Sequence, residues 1–153
     1  MKRKIVCSLF ILFGVTCLLS GCGEKEHLRC SYLQEQSGLA VNQIVNIKFK
    51  DGKVSNVKLT VAAGATNKQA QEKWDEFIQE VDKQYPEKTV KGLTVTRTLN
   101  KEDYVYKLIL DINLKKVSNK DLESYGLNGI ANSNAKYSDT KESFEKSGFT
   151  CEH

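Results

Sequence analysis

The sequence predicts an α+β fold: an antiparallel sheet built from hairpins, covered on one face by an amphipathic helix, with short C-terminal helices. Two observations carry this. Runs of alternating apolar residues come in adjacent pairs separated by turn residues. One long stretch with apolar residues at helical spacing lies between the pairs.

The chain has 153 residues, 40% hydrophobic and 27% charged, with one proline. That is one domain's worth of chain and too apolar for a disordered one. The first 21 residues read apart from the rest. Lys2, Arg3 and Lys4 precede an uncharged stretch from Ile5 to Gly23. The apolar run Ile5–Leu19 falls short of the roughly 20 residues a membrane-spanning helix needs, and has the length and flanks of a secretory signal. Residues 1–21 are expected to be that signal, 22–27 a polar tether and 28–153 a single domain. The end of the run is more specific. Leu19-Ser20-Gly21-Cys22 resembles the lipobox of bacterial lipoproteins. The resemblance implies that Cys22 receives a diacylglycerol thioether and becomes the first residue after cleavage. The domain would then be held at the cell membrane on its extracytoplasmic side. An ordinary signal peptide that contains Cys22, or an uncleaved anchor, would also place the domain outside the cytoplasm.

Removing the signal changes the charge. The whole chain has 23 basic and 19 acidic residues. Three of the basic ones precede Cys22, so the mature chain is close to neutral at 20 against 19. The pI near 8.7 mostly reflects the export signal, and nucleic acid is not an expected partner. The five cysteines divide likewise: Cys7 and Cys17 leave with the signal, and Cys22 is taken by lipid. Cys30 and Cys151 remain, and in an oxidising compartment they read as a disulfide. It would close a loop worth roughly 4–5 kcal/mol in the chain-entropy model. Free thiols, or a Cys2His2 zinc site with His27 and His153, are the rival readings.

Along the domain, Leu28–Gln34 alternates weakly as a first strand, and Ser37-Gly38 marks a turn. Val41, Val45, Ile47 and Phe49 share one face of a second strand; Val57, Leu59 and Val61 continue the odd positions on a third. A two-residue Asp51-Gly52 turn would set Ile47 opposite Asn56. A three-residue loop, Lys50-Asp51-Gly52, pairs Val45 with Val57 and Val41 with Val61, so the apolar faces favour the longer loop.

Residues 66–85 form the clearest helix. Thr66 and Gln69 make a capping-box pattern. Ala70, Trp74, Phe77, Ile78, Val81 and Tyr85 follow along one face, and Pro86 ends the element. Trp74 is expected to face the sheet, with a ligand-stacking role as the alternative. In the second hairpin, Leu93, Val95 and Leu99 alternate with Thr94, Thr96 and Thr98, and even residues from Tyr104 to Leu114 are apolar throughout. A loop at Asn100–Asp103 would pair Leu99 with Tyr104, Val95 with Leu108 and Leu93 with Leu110. Ser118 opens a short helix ending near Tyr125-Gly126. Asp139 or Thr140 starts another, with Gly148 at its end, and Phe149-Thr150-Cys151 returns toward Cys30. Gly126–Asp139 is one long polar loop, of a length often tied to function.

Chemical motifs are sparse. No histidine lies between Leu28 and Glu152, so a Ser-His or Cys-His pair has no base. Glu72, Asp75, Glu76 and Glu80 mark a solvated helix face; Asp103 and Asp111 do not form a glycosidase pair. Phosphate loops and EF-hand ligand ladders are absent. No catalytic residue, metal site or cofactor is therefore expected, and the chain is not expected to be an enzyme. The lipobox, the two hairpins around a helix beginning "GATNKQAQEKW" and the closing "SFEKSGF" helix together resemble the YehR-like small bacterial lipoproteins. The resemblance spans about residues 28–150 and implies an exported α+β domain of unknown function. Two roles remain. One is a tethered module binding a peptide, envelope polymer or small molecule through the 126–139 loop or the threonine-rich sheet face. The other is an accessory subunit docking an envelope protein. A concave pocket above about 300 Å³ would favour the first, and a large exposed apolar patch the second.

Overall fold

The computed structural model describes residues 26–87, 89–125, 127 and 134–152. Six antiparallel strands form one open sheet in the order β4-β5-β3-β2-β1-β6. In chain order they are β1 (His27–Gln36), β2 (Leu39–Lys50), β3 (Lys53–Ala65), β4 (Leu93–Asn100), β5 (Val105–Asn113) and β6 (Thr150–Cys151). Four helices accompany them: α1 (Lys68–Glu72), α2 (Trp74–Gln84), α3 (Asn119–Ser124) and α4 (Tyr137–Lys146). The α+β class is as the sequence predicts. None of the described helices is long and apolar enough to cross a membrane.

The alternation places the core. Leu28 and Cys30 of β1, Val45, Ile47 and Phe49 of β2, and Val57, Leu59 and Ala63 of β3 are buried on one face. Leu93 and the even residues Tyr106–Ile112 of β4 and β5 join them. Trp74 and Ile78 of α2 and Leu122, Tyr125 and Leu127 at and after α3 close that face. α4 buries none of its own residues.

The β2–β3 connection differs from expectation. The loop is the two-residue turn Asp51-Gly52, both residues with positive φ, and Lys50 pairs directly with Lys53. Such a turn alone would set inner residues against outer ones. A β-bulge at Ser55 supplies the missing residue: Phe49 pairs with Val54 and Lys48 with Asn56. Ser55 Oγ donates to the Lys48 carbonyl at 3.1 Å. Beyond the bulge Ile47 faces Val57, Val45 faces Leu59 and Val41 faces Ala63. The faces agree because the strand is bulged rather than because the loop is longer.

The second hairpin is also displaced. Its loop is Lys101–Tyr104, so Leu99 pairs with Tyr106, Val95 with Leu110 and Leu93 with Ile112. Tyr104 leaves the strand with φ 52°, and its carbonyl accepts from Ala65 N–H at 3.1 Å. The single expected helix is two. Asn67, not Thr66, caps α1 through a 2.9 Å bond from Ala70 N–H to Oδ1. Thr66 Oγ1 instead donates to the Gly38 carbonyl, and a break at Lys73 separates α1 from α2.

The C-terminal return follows from the end of α4, which starts at Tyr137, two or three residues before the expected Asp139 or Thr140. Gly148 N–H donates to Glu145 O and Phe149 N–H to Phe144 O, both at 3.0 Å. With Gly148 at φ 88° and Phe149 edge-on to Phe144 at 5.1 Å, this is a Schellman stop. It aims β6 back along β1. Glu152 N–H bonds Arg29 O at 2.8 Å, which makes Cys30 and Cys151 the neighbouring pair without mutual backbone bonds. Their Cα atoms are 4.0 Å apart and they form a disulfide.

Candidate functional site

Three arrangements stand out once the sheet and helices are in place. The first is a cleft of about 450 Å³ between α4 and the inner sheet face. α4 stands over the sheet on its ends. Tyr137 rests on Phe49 at 5.4 Å, and Phe144 meets Phe149, which reaches Tyr32 at 5.3 Å. Between these aromatic supports the floor is Ile47, Val54 and Val57, and the far wall is Phe144 and Phe149. Asp139, Thr140, Ser143 and Ser147 form the polar rim. Two of those hydroxyls are turned back onto the helix: Thr140 donates to Lys136 O and Ser147 to Ser143 O. That leaves the Asp139 carboxylate and the Ser143 hydroxyl as the rim groups best placed to meet a ligand.

The second is the outer sheet face, where a concavity of about 690 Å³ crosses β1, β2, β3 and β5. Cross-strand register puts Arg29, Asn46, Lys58, Asp111 and Thr94 in one row. The adjacent row is Ser31, Ile44, Thr60, Ile109 and Thr96. Thr94, Thr96 and Thr98 are exposed there as expected, but lysines dominate the middle of the face. Lys48, Lys58 and Lys107 line the concavity. Lys58 lies opposite Asp111, yet the described ion pairs include neither residue.

The third is a part-buried polar cluster at the edge of the core. Arg97 occupies an inward position of β4, between Val95 and Leu99. Its Nε lies 3.2 Å from Asp82 Oδ1, close enough for an ion pair but not aligned as a hydrogen bond. Nη2 donates to the Tyr85 carbonyl, and Glu87 lies 3.9 Å from Nη1. Tyr106 donates to Asp82 Oδ1 at 3.0 Å, and Tyr125 donates to the Pro86 carbonyl at 3.3 Å. Burial, then the Asp82 hydrogen bond and charge, push the Tyr106 hydroxyl up to about 12. Burial also raises Tyr85, and burial followed by the Asp121 charge raises Tyr125. A phenol so far from ionising is no base at neutral pH. The cluster instead braces the C-terminal end of α2 against β4 and β5.

The expected site residues fall as follows. Cys30 and Cys151 are brought together; Cys22 lies outside the described residues, as does His153. Among the described residues no group of three or more His, Cys, Asp and Glu side chains could hold a metal ion. Trp74 is 2% exposed, stacked on Phe77 at 5.4 Å and edge-on to Tyr104 at 6.4 Å. Its ring offers a ligand no face. Of the 126–139 loop, residues 126 and 128–133 lie outside the description, and Tyr137–Asp139 already belong to α4. Arg97 and the outer-face lysines were not singled out in advance. The signal for them was parity: Arg97 breaks the apolar positions of β4, and Lys48, Lys58 and Lys107 oppose the apolar positions of their strands.

No protein-family model, curated protein or solved structure matches the chain.

Proposed function

We propose that the chain is a membrane-anchored extracytoplasmic lipoprotein whose domain is a non-enzymatic ligand-binding module at the cell envelope. The cleft under α4 carries this reading. Its volume of about 450 Å³ lies within the usual range of small-molecule sites, and it has their apolar lining with few polar groups. Apolar walls beside one carboxylate and one hydroxyl suit a small apolar molecule, or an apolar peptide side chain, that also carries a hydrogen-bond donor or a positive charge. The lipobox-like Leu19-Ser20-Gly21-Cys22 supports the anchor. The likeness to YehR-like lipoproteins rests on the lipobox, the element order and the two quoted segments. A photo-crosslinking residue at Ser143, compared with one at exposed Glu142, tests the site in cells. Adducts formed at 143 and not at 142 are the expected result; equal or absent labelling at both sinks the reading.

The accessory-subunit alternative rests on β4, an edge strand with no partner beyond it among the described residues and so open to strand addition. The exposed large apolar residues do not favour it: Leu33 lies on β1, whereas Leu99 and Val105 lie on β4 and β5. A crosslinker at Thr96 that captures one defined envelope protein would favour this alternative.

A further inference from the structure

The two ends of the sheet differ in charge, and the difference coincides with the place where the chain enters. Glu26 O accepts from Phe49 N–H at 2.7 Å, so β1 begins beside the Asp51-Gly52 turn. Lys50 and Lys53 sit directly opposite each other across that turn, an arrangement that destabilises a hairpin by itself. Lys115 joins them around one hollow. Its neighbour Lys116 packs against Gly92, and Lys48 lies on the outer face beside His27. None of these five lysines takes part in a described ion pair. Glu26 and Asp51 are the acidic residues between and beside them. At the far end the charges are mixed: Glu35, Glu102 and Asp103 lie there with Lys101, and Lys68 follows Asn67, whose side chain sits against Gly38. The mature chain is almost neutral, so this is local segregation of charge rather than a general basicity.

We infer that the lysine-bearing end rests on anionic phospholipid headgroups, which orients the domain upright on the bilayer. The inference builds on the lipid anchor at Cys22. Three residues lie between Cys22 and Glu26, so four Cα–Cα steps span at most about 14 Å, and the anchored bilayer stays close to this end whatever path the tether takes. At physiological salt charges are screened over about 8 Å, and lysine side chains close much of the remaining gap. A cation beside an anionic leaflet gains roughly a factor of five in local affinity. The Lys50–Lys53 pair, which takes part in no described ion pair, then gains a counter-charge beyond that of neighbouring Asp51. In this pose the outer sheet face stands along the membrane normal.

The test uses the acylated mature protein, beginning at Cys22, reconstituted into vesicles of phosphatidylcholine alone or mixed equally with phosphatidylglycerol. Amine acetylation rates at Lys50, Lys53 and Lys115, read by peptide mass spectrometry, are compared with Lys101 at the far end. On anionic vesicles the three rates are expected to fall about fivefold relative to Lys101 and to recover in high salt, with no such fall on neutral vesicles. The Lys50→Gln/Lys53→Gln variant, altered only at exposed positions, is expected to lose the protection of Lys115. Equal rates on both vesicle types overturn the orientation, as does equal protection by soluble inorganic phosphate without vesicles. Flotation with neutral vesicles reports the anchor separately. Protein that floats there but gains no protection on anionic lipid refutes the orientation and leaves the anchor standing; protein that does not float refutes both.

Discussion

At the scale of single residues, the Arg97–Asp82–Tyr106 cluster shows how a part-buried charged side chain is accommodated at the edge of a small core. Arg97 reaches a carboxylate and a backbone carbonyl, and Asp82 also accepts from Tyr106. Truncating one member leaves partners unpaired, which costs more than the interaction contributes when intact. Asp82→Ala is expected to lower stability by about 1–2 kcal/mol in urea denaturation; an unchanged midpoint would show that the brace is idle. A pH dependence follows from Tyr106. Its folded pKa of about 12 lies above the ordinary 10, so the neutral phenol is the form the fold favours. That stabilisation is complete below pH 10 and is lost as pH rises through about 12. Wild type is expected to lose stability over this window, with a smaller slope in Tyr106→Phe. Identical alkaline slopes in the two proteins would contradict the assignment. Tyr85 and Tyr125 are raised as well, so the slope is reduced rather than abolished.

At the scale of elements, alternation showed which residues face the core but not which residues pair. Val45 meets Leu59 rather than Val57, and Leu93 meets Ile112 rather than Leu110. Each partner is displaced by two residues, and a shift of two leaves every side chain on its expected face. Apolar patterning therefore constrains register only by parity, and local backbone events choose among the allowed values. Those events were the bulge at Ser55 and a tyrosine held at positive φ in the Lys101–Tyr104 loop. Neither residue type announces such a role. Deleting Ser55 would remove the unpaired residue and leave Phe49–Val54, Lys48–Asn56 and Ile47–Val57 in one regular ladder, with every inner residue still inward. The expected outcome is a retained cooperative thermal transition; its loss would mean that the bulge itself, and not only the register it restores, is required. Glycines make a second contrast. A Cβ at Gly92 would meet the Val117 backbone nitrogen at 2.5 Å, whereas one at Gly148 would only touch the Tyr32 ring at 3.5 Å. Both have positive φ. Gly148→Ala is expected to cost about 1 kcal/mol from backbone strain alone. Gly92→Ala should cost more, because a backbone segment must move; equal midpoints for the two variants would contradict this.

At the scale of the whole molecule, the disulfide joins the first strand to the last across 121 residues of sequence. It also fixes β6, a two-residue strand that could hardly persist on its own. Cys30→Ala/Cys151→Ala is expected to lose roughly 4–5 kcal/mol, a large part of the 5–15 kcal/mol typical of a domain. This pairing was legible in the sequence because the expected export signal and lipobox account for the other three cysteines, which leaves Cys30 and Cys151. The cleft under α4 was less legible, since the helix meets the sheet through aromatic contacts at its two ends, and those depend on where α4 and β6 settle in space. The inward Arg97 was obscured for a similar reason, because its partners arrive from α2. The proposed tether leads into the first strand, and the anchor is the claim on which the proposed function turns. Intact-mass and peptide analysis of protein from the membrane fraction tests it most directly. The account predicts a mature N-terminus at Cys22 carrying a diacylglycerol thioether; an unmodified Cys22 in a soluble product would contradict it.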